Sequence, residues 1–329
     1  MGNFVLANEL ENYIPEPRDR ITGFTAAELM VMELPPPRWA IPDILPEGLN
    51  ILAGKPKMGK SIMSLNIAIA ISTGGKALGA IRVEKGSVLC LALEDTKRRL
   101  QKRMGAMLNG ADPPDNLYLE TEWPKMDAGG IEKLEKRIQK IPDIRLVVID
   151  TFKKIRPIQK GRNINSYDVD YEHISDIKKL ADDNGVCILV IHHLRKTESE
   201  DIMDDFSGTF GLTGAADGLL AFKRRTGQAD AELHIVGRDV DAAEYALKYH
   251  PDIWTWELIG DAQEVKSTET RQQIYDAVKD ADEPVTPKEI SNITGVKYRT
   301  VNAGLKALID EGSIRKTGQH GKYRISAYL

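Results

Sequence analysis

Residues 54–61, Gly54-Lys55-Pro56-Lys57-Met58-Gly59-Lys60-Ser61, spell the phosphate-binding motif Gly-x-x-x-x-Gly-Lys-Ser, and their flanks dictate the local fold. The apolar run 49–53 ahead of the motif reads as a strand, and the apolar run 62–71 behind it reads as a helix ending at Gly74-Gly75. Strand, glycine loop and helix in that order are the context in which the motif holds phosphate. The loop amides and the helix N-terminus point at the phosphates, Lys60 reaches the β and γ oxygens, and the Ser61 hydroxyl ligates Mg²⁺. A glycine-rich turn with no ligand is the alternative, and both flanks argue against it. A chain built this way binds a nucleoside triphosphate.

Beyond the loop, strand-like runs recur at 86–92, 117–120, 146–149, 186–191, 218–222 and 232–236, with amphipathic helices over 96–108, 130–140 and 171–184. Such alternation predicts an α/β fold, a mostly parallel sheet covered by helices. Two short strand-like pieces follow within 249–258. Residues 1–44 form a separate arm, rich in acids and proline, with one short helix over 26–33 after a Thr25 cap; such an arm can pack on a neighbouring subunit or stay a free tail. The sheet domain spans 45–262, a linker 263–268, and a small domain 269–329. In that last block 270–279 reads as a first helix, Thr286-Pro287 opens a second, Thr294-Gly295 is a turn, 296–311 is the third helix, and strands at 314–316 and 323–325 flank a glycine turn containing His320. Three helices and a hairpin predict a winged helix-turn-helix.

The 329 residues leave room for one large core and this appended module. A net charge of −4 excludes a basic nucleic-acid coat, so any such contact comes from local patches. No apolar run approaches the roughly 20 residues that span a bilayer, and the N-terminus lacks a signal-peptide pattern. Cys90 and Cys187 sit inside apolar strands and read as buried free thiols, which fits a cytoplasmic protein.

Three strand ends carry candidate chemistry. The run 86–93 ends in Glu94-Asp95, where ligands gather in an open α/β sheet. A carboxylate there can polarise an attacking water or cap the helix beginning at Thr96; beside a phosphate loop the first role suits Glu94 and the second Asp95. Leu146-Val147-Val148-Ile149-Asp150 is a Walker B pattern, whose Asp holds Mg²⁺ directly or through water. His192-His193 ends another strand. Consecutive strand residues face opposite sides, so the pair does not share a metal; a histidine bonded to phosphate or to Asp150, or simply a satisfied buried one, is the expectation. The loop 153–162 carries five positive charges and no acid, and 207–214 is rich in glycine and hydroxyls. Both suit a phosphodiester backbone, while a solvated loop and a helix start are the alternatives.

The ordered set of phosphate loop, Leu-Ala-Leu-Glu-Asp, Leu-Val-Val-Ile-Asp, Ile-His-His-Leu-Arg-Lys, Ser-Gly-Thr-Phe-Gly-Leu-Thr-Gly-Ala-Ala-Asp and Val-Gly-Arg-Asp resembles the RecA-fold ATPases of the plasmid and phage RepA type, hexameric replicative DNA helicases. The resemblance covers about residues 36–260. It implies ATP and Mg²⁺ as cofactors, Glu94 as catalytic base, Asp150 as Walker B, His193 as γ-phosphate sensor, and Arg238 as an arginine finger reaching a neighbour's nucleotide. From the residues alone Arg238 is an arginine at a strand end, with Asp239 or Asp241 as a salt-bridge partner. The resemblance further implies a homo-hexamer with single-stranded DNA on channel loops near 153–162 and 196–214. The C-terminal module, no fixed part of that core, carries eight basic residues against three acids over 288–329. Lys297, Tyr298, Arg299, Thr300 and Asn302 would start a recognition helix on duplex DNA, although winged helices also dock proteins. A recombination mediator, a helicase loader or an ATP-switched DNA-binding regulator are the rival readings.

Overall fold

The computed structural model describes residues 23–156, 166–194, 214–224, 230–318 and 321–326, with side chains of the helix beginning at Ser166 described from Ile174 onward. The loop stretches 157–162 and 196–213, and His320, lie outside the described residues. Two compact units are present, residues 1–37 and 38–329. In the first, α1 (Ala26–Val31) starts at a reciprocal capping box: the Thr25 hydroxyl accepts from Glu28 N, and the Glu28 carboxylate accepts from Thr25 N at 2.6 Å.

The second unit begins earlier than the expected boundary at residue 45. β1 (Trp39–Ile41) and β2 (Leu45–Pro46) pair with each other, and Ala40, Ile41, Ile44 and Leu45 are buried in the main core. Pro42 and Pro46 interrupt the apolar pattern there, which made core residues look like the end of an arm.

The principal elements are β3 (Gly48–Gly54), α2 (Lys60–Thr73), the small β4–β5 pair (Lys76–Ala77, Ile81–Arg82), β6 (Ser87–Ala92), α3 (Lys97–Leu108), β7 (Leu117–Glu120), α4 (Gly130–Lys140), β8 (Ile144–Asp150), α5 (Phe152–Ile155), α6 (Ser166–Asn184), β9 (Cys187–His193), β10 (Gly218–Arg224), β11 (Ala231–Gly237), β12 (Ala243–His250) and β13 (Thr255–Asp261). Nine strands form one sheet in the order β13-β12-β11-β10-β3-β9-β8-β6-β7. From β10 to β7 every pair is parallel; β11 to β13 extend the other side as an antiparallel meander. This is the α/β architecture the sequence predicts.

Central strands are largely apolar because both faces are covered, buried Asn50 of β3 being an exception that bonds the Pro46 and Gly48 carbonyls. On β8, Leu146 and Val148 join one buried cluster with Met63 and Ile67 of α2, while Val147 and Ile149 join the other with Leu134 of α4 and Ile177 of α6. Cys90 and Cys187 are buried and unbridged. Among the described residues no helix is long and apolar enough to cross a membrane.

The C-terminal end holds α7 (Ala262–Lys279), α8 (Pro287–Thr294), α9 (Tyr298–Asp310) and the antiparallel β14–β15 pair (Ile314–Lys316, Tyr323–Ile325), which share a small apolar core including Ile274, Ile290, Val301 and Leu305. The linker expected over 263–268 is absent. Asp261, the last residue of β13, caps α7 by accepting from Gln263 N and Glu264 N, and the helix runs unbroken through that stretch. Its polar residues imitate a linker, but none is glycine or proline, and polar side chains suit the wet face of a helix.

Candidate nucleotide site

Four adjacent parallel strands, β3, β9, β8 and β6, end on the same edge of the sheet and deliver the site. β3 runs into the phosphate loop. At Gly54 the backbone lies so close to β10 that a Cβ would stand 2.6 Å from the Phe222 carbonyl oxygen. Gly59 has φ +107° and serves as N-cap of α2, a left-handed conformation that glycine adopts without strain. α2 is buried on nearly all sides and aims its N-terminus at this edge.

Lys60 is 3% exposed, and its ammonium donates to the carbonyls of Gly54 (2.7 Å) and Lys55 (2.8 Å). Burial pushes its pKa down to about 8, against the opposing pull of Asp150 and Glu94. Asp150 ends β8, and its peptide to Thr151 is cis. Burial raises its carboxyl to about 6, while a hydrogen bond from Ser61 and the charge of Lys60 pull the other way. One carboxylate oxygen, Oδ1, is buried without a hydrogen-bond partner. A hydroxyl and a carboxylate with a spare buried lone pair form an oxygen donor set of the kind Mg²⁺ takes, so Ser61 and Asp150 fit that ion.

His192 and His193 separate as strand geometry requires. His193 shares a face with Ile191 and Leu189, on the α2 side; His192 shares the opposite face with Val190. Burial first, with His193, Lys60 and Arg156 adding, lowers His192 to about 4, which makes it a neutral, half-buried imidazole. His193 places Nε2 3.8 Å from Glu94 Oε2, and its Nδ1 is buried and unpartnered. Burial and then Lys60 lower its pKa, against Glu94. Glu94, two residues beyond β6, is 42% exposed at its side chain, so a carboxylate at the mouth faces an imidazole across the Asp150 strand.

Asp95 is not the cap of α3. Thr96 caps it by accepting from Arg99 N, and Asp95 is instead held by Arg99 at 3.0 Å and by Arg103. A hydroxyl was available one residue nearer the helix, which freed Asp95 to pair with two guanidiniums on the face of α3.

Arg238 lies elsewhere. It follows β11, whose Gly237 pairs with Gly218, which in turn pairs with Asn50 near the start of β3. That is the edge opposite the phosphate loop, roughly 15 Å away along the strands at 3.3 Å per residue. Its partner is neither Asp239 nor Asp241. Arg238 Nη1 stands 3.5 Å from Asp217 Oδ1, its Nη2 donates to the Gly214 carbonyl at 3.3 Å, and its backbone N–H donates to the Asp217 carbonyl at 2.8 Å. Asp217 also accepts from Lys178 at 2.8 Å and from Leu49 N at 2.9 Å.

Sequence reasoning missed the residues beneath the loop. Trp256 of β13 touches Gly59, Arg224 at the end of β10 lies over the Trp256 ring, and Asn66 of α2 bonds the β13 segment. None belongs to a short motif, and an apolar strand containing tryptophan is the one hint available.

A parallel sheet with a phosphate loop after one strand, a buried aspartate after the next strand but one, and a strand between them defines a P-loop ATPase of the RecA-like class that the sequence resembles. The family described as an AAA domain (AAA_25) matches residues 15–199, and the chain belongs to it. Among solved structures, a KaiC-like protein from the hyperthermophilic archaeon Pyrococcus horikoshii OT3 is similar at 12% identity and a TM-score of 0.46, over 65% of this chain and 90% of that one. Among curated proteins none matches.

Proposed function

We propose that this P-loop ATPase is a DNA motor of the replicative helicase kind, a homo-hexameric ring hydrolysing ATP between subunits on single-stranded DNA in the cytoplasm. The observation that carries the reading is the division of the site. Lys60, Ser61, Glu94, Asp150 and His193 gather at one edge of the sheet, while Arg238 stands 58% exposed at the other. An arginine so placed cannot serve its own loop but can serve a neighbour's in a head-to-tail ring.

The loop amides, 54–61, and Lys60 hold the β and γ phosphates. Mg²⁺, held by Ser61 and Asp150, supplies charge neutralisation on the phosphate oxygens when bound. Glu94 accepts a proton from the attacking water. His193, within reach of Glu94, reports the γ-phosphate to that carboxylate, and Arg238 of the next subunit stabilises charge developing on the transferred phosphoryl group.

The N-terminal unit presents Phe24, Met30 and Val31 exposed, apolar surface suited to a neighbouring subunit. The C-terminal three helices and hairpin are read as a winged helix-turn-helix on duplex DNA, with Lys297, Tyr298, Arg299 and Thr300 exposed at the start of α9 and Lys316 and Arg324 on the hairpin. The loops 153–162 and 196–214 would meet the single strand.

The test is ATP hydrolysis with no DNA, single-stranded DNA and duplex DNA, alongside unwinding of a forked duplex. Stimulation by single strands with unwinding supports the motor. Stimulation without unwinding assigns a mediator or loader instead, and turnover indifferent to single strands assigns a duplex-binding regulator.

A further inference from the structure

Trp256 stands outside every motif in the sequence, yet its ring is the floor of the nucleotide loop. A Cβ on Gly59 would lie 3.0 Å from Trp256 Cζ2 and 3.2 Å from Nε1, so the indole edge abuts the loop backbone. The residue is 2% exposed. Phe222 meets the ring edge-on at 5.0 Å, Tyr249 packs at 4.9 Å, and the Arg224 guanidinium lies 5.4 Å from its centre. The indole N–H is buried without an acceptor, so packing rather than a hydrogen bond sets the ring's position.

The backbone around the ring is pinned to the same helix that the loop starts. Trp256 N donates to Asn66 Oδ1 at 3.0 Å, and Asn66 Nδ2 donates to the Trp254 carbonyl at 3.2 Å. β13 is therefore fastened to α2 by Asn66 and pressed on Gly59 by the indole. With Gly59 held left-handed between the ring and the first turn of α2, the direction of the loop amides and of Lys60 and Ser61 is set before any ligand arrives.

We propose that Trp256 is a positioning residue for nucleotide binding, the strut that holds Gly59 and thereby preorganises the phosphate loop, and that its fluorescence reports loop occupancy. The inference rests on the reading of residues 54–61 as the nucleotide site. It assigns Trp256 no contact with the reacting atoms.

The experiment measures binding of a fluorescent ATP analogue and steady-state turnover for the full chain and for Trp256→Ala, Trp256→Phe and Trp254→Phe, each assayed well below its own melting temperature. Loss of the strut should weaken binding about tenfold or more in Trp256→Ala, with turnover at saturating ATP changed less than about threefold, because misplaced loop amides cost ground-state and transition-state binding alike. Trp256→Phe, which keeps an aromatic floor, should recover much of that loss, and Trp254→Phe should bind as the parent does. Addition of ADP should alter the intrinsic emission of the parent and of Trp254→Phe but not of Trp256→Phe. Should Trp256→Ala fail to fold, Trp256→Phe still carries the test through its emission and its smaller affinity loss. Parent-like affinity in folded Trp256→Ala, or an ADP response surviving in Trp256→Phe, overturns the inference alone. Failure of the parent to bind nucleotide overturns the reading of the site and the inference with it.

Discussion

Lys60 and Asp150 are both buried, and burial moves each toward its neutral form: the ammonium to about 8, the carboxyl to about 6. A phosphate ligand needs Lys60 charged. Nucleotide affinity without metal should therefore hold below pH 8 and fall as pH rises through it, up to about tenfold per unit until the ligand-bound lysine itself titrates. Titrations at pH 7, 8 and 9 check this, and a flat profile refutes it. Asp150 has the opposite consequence for the fold. Its folded pKa lies above the unfolded carboxylate value, so its contribution to stability is full below about pH 4 and lost as pH rises through 6, roughly 3 kcal/mol in all. Asp150→Asn should accordingly raise the melting temperature of the ligand-free protein at pH 7.5 by several degrees while abolishing Mg²⁺-dependent turnover; a lowered melting temperature would contradict the buried-charge account. Lys60→Ala should reduce turnover by a factor of about a hundred or more, since it removes the motif lysine that reaches the β and γ oxygens, and retained turnover in a hydrolysis assay would remove the loop from the mechanism.

At the scale of elements, what could be read in advance was what chain-local pattern encodes. β3, β6, β8 and β9 were legible because each is a continuous apolar run, and their site residues were legible because each run stops at a polar side chain: the loop after Ala53, Glu94 after Leu93, Asp150, and His193. In sequence the hairpin β12–β13 shows only two short pieces within 249–258, because partly exposed Lys248, Glu257 and Gly260 dilute its apolar pattern. Trp256 and Asn66 were invisible for a different reason: their contact joins residues 190 apart in the chain, and no window holds both. The beginning of α7 failed because a solvated helix and a linker share a composition. That confusion has a direct test. Lys266 is exposed, so Lys266→Pro removes little but a backbone hydrogen bond and adds a ring clash. In a linker the change would be nearly neutral. In the α7 observed it should cost about 3 kcal/mol, read as a lower melting temperature and weaker helical circular dichroism.

At the scale of the whole molecule, the placement of Arg238 decides whether one subunit is a complete enzyme. The phosphate loop and Arg238 are on opposite edges of one rigid sheet, and Asp217 fixes the Arg238 end by bonding its backbone and the start of β3 together. No side-chain rotation closes a gap of about 15 Å, so Arg238 either acts on a neighbour or takes no part in chemistry. Arg238→Ala should then bind ATP like the parent and lose turnover by about a thousandfold, the scale at which arginine fingers act. The sharper test mixes it with Lys60→Ala. Each variant alone lacks every complete site, one for want of a loop lysine and the other for want of a finger. In a co-assembled ring, an intact loop on an Arg238→Ala subunit can face an intact arginine on a Lys60→Ala subunit. Random assembly from equal amounts should rebuild roughly a quarter of the sites, because half the loops and half the fingers are sound. Recovery of turnover on co-expression, measured against each variant alone, would place Arg238 in the neighbour's site. Parent-like turnover in Arg238→Ala alone would leave Arg238 as the surface partner of Asp217, and a mixture as inactive as two inactive parts would refute catalysis across the interface.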